Sequence, residues 1–356
     1  MRYVTSPPDR WPLSLQPYLP APAHPEGTIR LDCNESALGP FPAAVAAITA
    51  AASDAHRYPD RDGVLIEALA ARHGLAPEMI VLGNGADALI GYISAAFLSS
   101  GDEVVTGWPS FPTYLIDAAK QGAEAKLVPL ADGAVDLDAI TARIGSRTRL
   151  VWICTPNNPT GGAVSPADLH RFLDGVPDDV LVVVDEAYHE FAAGPDQVDA
   201  IADHVGERPN VAVLRTFSKL YGLAGLRVGY LAGPREVAAA VGKGRHYYDV
   251  AGLATIAALA SLKDDQEVAR RRGFVDARRD ELQRGLDERG WRWQPSLANF
   301  LAIQVGDADG VCSRLLAGGV ATRSLSGLGE PGLLRVTLGT STEIVRLLEL
   351  LGPGPE

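Results

Sequence analysis

Short apolar runs alternate with helical stretches over the first two thirds of the chain. Helical patterns such as residues 86–98 and 112–121 lie between the runs. Strands that are apolar on both faces and separated by helices indicate a mostly parallel sheet with helices on each side. We therefore predict an α/β fold whose large domain holds a mostly parallel, seven-stranded sheet flanked by helices. The predicted strands are 79–82, 103–106, 125–129, 150–154, 180–184, 211–215 and 228–231.

The pattern changes after about residue 234. Residues 235–290 are mainly helical, and 264–289 has the pattern of one exposed amphipathic helix, with its arginines (Arg270 to Arg272, Arg278 and Arg279) expected on the solvated face. The rest predicts a smaller α+β domain, with strands at 300–305 and 333–338 and helices at 307–317 and 342–351. We predict a proline-rich N-terminal arm over 1–40 that packs on the small domain, a large domain over 41–240 and the small domain over 241–356.

Composition narrows the function classes. The 356 residues carry a net charge of −12, which argues against nucleic acid as the main partner because phosphate binding needs a basic face. We find no apolar run of the roughly 20 residues that a bilayer crossing needs and no secretory h-region at the start. Cys33, Cys154 and Cys312 are odd in number and far apart, so we predict neither a disulfide framework nor a metal site. A cytoplasmic location is expected.

Four polar groups follow predicted strands, where ligands bind in open α/β sheets. They are Gly83 to Asp87, Thr155 to Gly162, Asp185 to Tyr188, and Ser218-Lys219 with Arg227. The first opens a helix, whose amides at Gly85 and Ala86 suit a phosphate. A dinucleotide fingerprint, Gly83-x-Gly85-x-x-Ala88, is the alternative there, but no acidic residue ends a second strand about 20 residues on.

Asp185 ends a hydrophobic strand, and a buried carboxylate needs a cationic partner such as a protonated ring nitrogen. A helix N-cap is the alternative for Asp185, and a plain turn is the alternative for Thr155 to Gly162. Glu186 and His189 have a spacing that metal ligands use, but no second histidine supports a metal.

Lys219 is one of only five lysines, and its neighbours are small or apolar. An amine in such surroundings loses its proton more easily and can form a Schiff base with a carbonyl, although an isolated lysine is more often a surface residue. Ser218 and Arg227 supply a hydroxyl and a guanidinium for a phosphate. An amine, an acid for a ring nitrogen and donors for a phosphate together fit pyridoxal 5′-phosphate.

The four groups occur in the order seen in fold-type I pyridoxal-phosphate aminotransferases, and the chain most resembles the histidinol-phosphate aminotransferase family. The resemblance covers about residues 30 to 350. Further matching segments are Asn34-Glu35 with Gly39-Pro40, Arg57 to Asp60, Ala298 to Phe300 and Leu334 to Thr340.

The resemblance implies a role for each matching residue. Lys219 would form the Schiff base and move the proton at the substrate Cα, and Asp185 would pair with the ring nitrogen. Asn158 and Tyr188 would bond the ring's phenolic oxygen, and Phe111 would stack on the ring. Around the phosphate or its helix end would lie Gly85, Ala86, Asp87, Ser218 and Arg227, with Asp87 capping the helix, and Tyr58 would come from the other subunit of a homodimer. Substrate binding would fall to Asn34, Arg323 and Arg335.

Two departures from the family concern the substrate. The family usually has Asn-Pro at Ser36-Ala37, and an asparagine where this chain has Asp249. A carboxylate facing the substrate would favour a cationic or hydroxylated ligand over a phosphorylated one. We expect an amino donor and a 2-oxo acid acceptor as partners. The alternatives are the same cofactor with another outcome (β-elimination, decarboxylation or oxidative deamination) and a catalytically silent ligand-binding homologue.

Overall fold

The computed structural model describes residues 24–60, 62–192, 194 and 197–355. Its strands are β1 (Ile29–Arg30), β2 (Ile80–Gly83), β3 (Glu103–Trp108), β4 (Glu124–Pro129), β5 (Thr148–Cys154), β6 (Leu181–Asp185), β7 (Val211–Thr216), β8 (Gly229–Ala232), β9 (Arg292–Gln294), β10 (Phe300–Gln304), β11 (Val320–Ala321), β12 (Arg323–Leu325) and β13 (Glu330–Thr337). Its helices are α1 (Pro42–Ala51), α2 (Asp62–His73), α3 (Gly85–Phe97), α4 (Thr113–Lys120), α5 (Leu137–Thr141), α6 (Pro166–Gly175), α7 (Ala200–His204), α8 (Arg235–Lys243), α9 (Gly252–Leu262), α10 (Asp265–Asp287), α11 (Ala308–Ala317) and α12 (Ser341–Leu351).

The largest sheet has seven strands in the order β2-β8-β7-β6-β5-β3-β4. Only β8 runs antiparallel to its neighbours, and every other pair in this sheet is parallel. The predicted α/β class with a mostly parallel seven-stranded sheet is therefore confirmed. The carboxyl ends of β5, β6 and β7 meet at one edge of the sheet as a result, and β2 ends at the same edge.

The hydrophobic core lies on both faces of this sheet. In β6 all five residues are buried, and Val182 and Val184 belong to one core cluster while Leu181 and Val183 belong to the other. Strand side chains alternate between faces, so a strand covered on both sides must be apolar throughout. This explains why the valine-rich run is uninterrupted until Asp185.

A second, antiparallel sheet has the order β12-β13-β10-β9, and α10, α11 and α12 pack near it. The segment before α1 joins this part of the chain, because β1 pairs in parallel with β11 and Thr337 N–H donates to Leu31 O at 2.9 Å. Of the arm expected over 1–40, residues 1–23 lie outside the described residues. Among the helices of the described residues, none has both the length and the apolar character needed to cross a membrane.

Helix α10 corrects one expectation from the sequence. Arg271 is 2% exposed, while Arg270 beside it is exposed. The Arg271 guanidinium donates to the carbonyl oxygens of Gly39, Pro40 and Leu220 and to the Glu267 carboxylate. The prediction of a solvated arginine cluster is thus wrong for Arg271, which ties α10 to two loops.

Candidate active site

The polar groups predicted from the sequence meet at the carboxyl edge of the seven-stranded sheet. Asp185 is the last residue of β6, Asn157 and Asn158 follow β5, and Ser218 and Lys219 follow β7. Each strand ends where the apolar run ends, so its first polar residue lies at the edge of the core. Gly85 starts α3 directly after β2 at the same edge.

The Asp185 carboxylate is 4% exposed and has two hydrogen bonds within the protein. Its Oδ2 accepts from the Tyr114 hydroxyl at 2.5 Å, and its Oδ1 accepts from Ala187 N–H at 3.0 Å. Burial raises the pKa of Asp185, and the bonds from Tyr114 and Ala187 oppose that rise. The carboxylate is therefore a buried acceptor, with one lone-pair direction left on each oxygen for a cation.

The Lys219 amine lies against the segment that follows β1. Its Nζ is 3.4 Å from both Cys33 O and Asn34 O and lies 5.7 Å from the centre of the Tyr188 ring. Burial, and after it the positive charge of Arg335, lower the pKa of Lys219 to about 8. Roughly a tenth of this amine is thus neutral and nucleophilic at pH 7, far more than for a lysine with an ordinary pKa.

The start of α3 lies next to Ser218 and Arg227, and together they form a small concave site. Gly85 has φ +76°, a backbone conformation that residues with a side chain rarely adopt, and a Cβ there would displace the Arg227 guanidinium. Arg227 Nη1 lies 3.5 Å from Ser218 Oγ. First-turn amides have no acceptor inside a helix, and no side chain caps this helix. These donors suit an anion such as a phosphate.

The sequence predicts that Asp87 caps α3, but the structure places it elsewhere. The residue at the N-cap position is Asn84, and the Asp87 carboxylate instead accepts from the Thr113 hydroxyl at 2.9 Å. It lies in the first turn, where a negative charge is favourable because of the helix dipole.

The residues expected to bind the cofactor ring and those expected to bind the substrate are hydrogen-bonded to one another in two groups. Asn34 Nδ2 donates to the Tyr188 hydroxyl at 2.9 Å, a contact with Tyr188 that the resemblance did not imply. The partly buried Arg335 donates to Asn158 Oδ1 at 2.5 Å and to Asp32 O at 2.6 Å, while its buried Nε has no partner among the described residues. Arg323 is exposed and lies directly opposite Arg335 in the β12–β13 ladder.

Two expected residues lie further out. Tyr58 is 76% exposed and stacks on Tyr248 with ring centres 4.3 Å apart, so it belongs to the outer surface of this chain. Phe111 is partly buried, and its ring meets that of Tyr114 edge to face at 5.8 Å.

Asp249 is placed differently from the expectation. Its carboxylate accepts from the Tyr92 hydroxyl at 2.8 Å and from Asn84 N–H at 3.1 Å. The charge is therefore held against the start of α3, and the substrate preference inferred from it loses its basis.

Glu186 and His189 belong to an ion-pair network. Glu186 bonds Arg215 at 2.6 Å, and Arg215 also bonds Asp199 at 2.7 Å. In the part of the chain that the structure describes, no three His, Cys, Asp or Glu side chains are grouped to hold a metal.

Sequence reasoning missed Tyr114, the partner of Asp185. The only signal was an aromatic residue in the first turn of a helix, three residues after Phe111. That pattern is common in ordinary cores, so it could not identify a contact with a strand 71 residues away.

Comparison with known proteins agrees with this geometry. Residues 26–351 match the family described as aminotransferase class I and II. The chain is 40% identical over 329 residues to histidinol-phosphate aminotransferase 2 of Pseudomonas fluorescens (strain Pf0-1), covering 92% of this chain and 89% of that protein. It is 43% identical over 329 residues to an aromatic amino acid aminotransferase of Rhodococcus jostii, covering 92% and 90%.

A solved structure is also similar. The histidinol-phosphate aminotransferase of Sinorhizobium meliloti, solved with pyridoxal-5′-phosphate, has a TM-score of 0.85 and 30% identity, over 91% of this chain and 90% of that one. The uncapped start of α3, the partly neutral Lys219 amine and the spare lone pairs of Asp185 fit the phosphate, aldehyde and ring nitrogen of that cofactor. The chain therefore belongs to the class I and II aminotransferase family and is a pyridoxal 5′-phosphate-dependent aminotransferase.

Proposed function

We propose that Lys219 holds the cofactor through its amine and that the enzyme exchanges an amino group between an amino acid or amine and a 2-oxo acid. The observation that carries this proposal is the position of a partly neutral amine beside the end of β6, where Asp185 offers a buried carboxylate. When bound, pyridoxal 5′-phosphate supplies an electron sink for the carbanion formed at the substrate Cα.

The residues of this chain divide the remaining tasks. Lys219 accepts the proton from Cα of the donor and delivers it in the second half of the exchange. Asp185 keeps the ring nitrogen protonated, because an ion pair in a buried site favours the charged forms. Asn158 and Tyr188 bond the ring oxygen, and Phe111 covers the ring face. The phosphate is bound at the helix start by the amides of Gly85 and Ala86 and by Ser218 and Arg227, with Asp87 behind them.

The first test replaces the two central residues. Lys219→Ala should abolish the visible absorbance of the purified protein, because the covalent link is lost. Asp185→Asn should leave cofactor partly bound and reduce kcat by about three orders of magnitude or more, as loss of buried charge stabilisation does. A Lys219→Ala protein with an unchanged spectrum, or an Asp185→Asn enzyme with near-normal kcat, would remove that residue from the proposal. An exposed lysine, Lys263, gives the matched control, since Lys263→Ala should leave the spectrum unchanged.

For the substrate, we propose a ring-bearing amino donor whose anionic group is bound by Arg335. The support is the buried Nε of Arg335, which lacks a partner in the described chain, and the names of relatives, a histidinol-phosphate aminotransferase and an aromatic amino acid aminotransferase. The exposed Arg323 opposite Arg335 offers a second positive charge for a donor with a phosphate. Arg323→Gln should then raise KM for histidinol phosphate by about tenfold and leave KM for phenylalanine unchanged. Equal effects on both donors would exclude Arg323 from phosphate recognition.

We also propose a homodimer located in the cytoplasm. Tyr58 and Tyr247 are 76% and 96% exposed, and such a cluster of large aromatic residues is typical of a surface that a partner covers. The three cysteines, Cys33, Cys154 and Cys312, are free thiols, which suits a reducing compartment.

A further inference from the structure

Tyr114 is a fully buried phenol in the first turn of α4. Its ring is parallel to that of Trp152 on β5, with centres 4.6 Å apart and an angle of 7°, and the Phe111 ring meets it edge to face. Both contacts fix the ring plane. The hydroxyl therefore has a defined direction, and it points to Asp185.

The bond to Asp185 is short. The hydroxyl donates to Oδ2 at 2.5 Å, a length typical of an O–H donor on an ionised carboxylate. Ala187 N–H occupies Oδ1 at 3.0 Å, so the two bonds together fix the plane of the carboxylate. A carboxylate held in this way does not need to reorganise when a cation binds it.

The surroundings of Asp185 otherwise oppose its charge. Burial and the neighbouring Glu186 raise its pKa, whereas the bonds from Tyr114 and Ala187 and the positive charge of Lys219 lower it. Cys154, at the end of β5, is a further titratable group beside it. Tyr114 is thus one of few groups that favour the ionised carboxylate.

We propose that Tyr114 is a positioning residue for the reaction: its hydroxyl orients the Asp185 carboxylate and keeps it ionised for the ring nitrogen of the cofactor. The inference rests on the proposed role of Asp185. It gives Tyr114 a function that packing alone does not require, because a phenylalanine would fill the same space between Trp152 and Phe111.

The test measures the dissociation constant of pyridoxal 5′-phosphate from the full-length protein between about pH 6 and pH 9, before any assay of activity. Tyr114→Phe should weaken binding by about tenfold or more, the loss expected for one hydrogen bond to a charged group. The ratio of variant to wild-type constants should grow as the pH falls, because Asp185 becomes protonated at a higher pH without the phenol. Lys219 and the ligand titrate in both proteins, so their contributions cancel in the ratio. Tyr114→His, which keeps an N–H donor, should recover part of the affinity.

Tyr230→Phe is the matched control, since Tyr230 is also a buried phenol whose hydroxyl is hydrogen-bonded, to His73 at 2.9 Å. It should lose stability without losing cofactor affinity. A Tyr114→Phe constant within about twofold of wild type, or a pH-independent loss that Tyr230→Phe reproduces, would overturn the inference. Tyr114→Leu, which also lacks the hydroxyl, provides the same comparison if the phenylalanine variant does not fold.

Asp185→Asn separates this inference from the proposed function. If the Asp185→Asn enzyme binds the cofactor and turns over substrate normally, the proposed role of Asp185 itself is wrong. If Asp185→Asn is impaired and Tyr114→Phe is not, only the role of Tyr114 fails. In an Asp185→Asn background, Tyr114→Phe should add little further loss, because the charge that it supports is gone.

Discussion

At the scale of single residues, the site depends on charges placed where water is excluded. Lys219 and Arg335 are both partly buried and both cationic, and each lacks a carboxylate partner in the described chain. Two like charges in such a place favour loss of the more labile proton, which is that of the lysine, because a guanidinium holds its proton far more strongly. The arginine that we propose binds the substrate anion therefore also favours the neutral amine.

This coupling predicts a pH dependence for cofactor uptake. The neutral Lys219 amine is the reactive form, so the rate at which cofactor-free enzyme gains visible absorbance should rise with pH and level off above about 8. Arg335→Met removes a positive neighbour and thereby favours the ammonium, so the inflection should move to higher pH. Rapid-mixing absorbance measurements check this. Arg346→Met, at an exposed site on α12, should leave the inflection in place, and an unmoved inflection in Arg335→Met would contradict the coupling.

Local sequence predicted the chemistry of this site better than its contacts. Asp185 directly follows an apolar run, and Lys219 and the Gly85 turn come within a few residues of one, so their position at the sheet edge followed from these runs. The Tyr114–Asp185 bond, the attachment of Asp249 to the start of α3 and the burial of Arg271 could not be predicted. Each depends on elements far apart in sequence, and residue type alone does not tell which partner a polar side chain finds.

At the scale of elements, Arg271 shows how α10 supports the site. Besides its bonds to Gly39 and Pro40, it donates to the carbonyl of Leu220, the residue after Lys219. Its guanidinium also lies 4.4 Å from the centre of the Phe41 ring. One side chain thus joins the loop before α1 to the loop that carries Lys219.

Arg271→Met should lower the free energy of unfolding by about 3–5 kcal/mol, because several buried carbonyl oxygens lose their donor along with the ion pair. Arg270→Met is a matched control: Arg270 bonds the same Glu267 but is exposed, so it should cost less than about 1 kcal/mol. Denaturant unfolding of the two variants measures the difference. Equal losses of stability in the two variants would show that α10 depends only on the surface ion pair with Glu267 and not on the buried bonds of Arg271.

Element boundaries followed the apolar pattern to within three residues for the longer predicted elements, both in the large sheet and in the small domain, whereas the shortest strands were missed. Strands of four to seven residues, such as β5 and β6, have a buried run that marks them. Two-residue strands such as β1 and β11 have no pattern of their own and exist because they pair with each other. Short strands of this kind are set by tertiary contact and escape local prediction.

At the scale of the whole molecule, the proposed dimer predicts complementation between two inactive subunits. If Tyr58 reaches the phosphate site of the partner, a mixed dimer of Lys219→Ala and Tyr58→Ala chains contains one intact site, with Lys219 from one chain and Tyr58 from the other. Co-expression should then restore activity to about a quarter of wild type, since half of the dimers are mixed and each has one working site.

Turnover of the co-expressed, co-purified chains measures this restoration, with the two separate homodimers as the reference. A tyrosine that served its own subunit would leave one defect in each site of the mixed dimer. Activity no greater than the average of the two homodimers would therefore exclude the exchange of Tyr58 between subunits.

The pairing of β1 with β11 affects when the enzyme becomes competent during its synthesis. The carbonyl oxygens of Cys33 and Asn34, which lie against Lys219, belong to a segment whose strand partner is translated about 290 residues later. Until residues 320–337 have left the ribosome, Lys219 lacks one wall of its pocket and Asn158 lacks Arg335. A nascent chain that lacks these residues cannot yet have a complete site. We therefore expect the cofactor to be captured at full affinity only after this C-terminal segment has been synthesised.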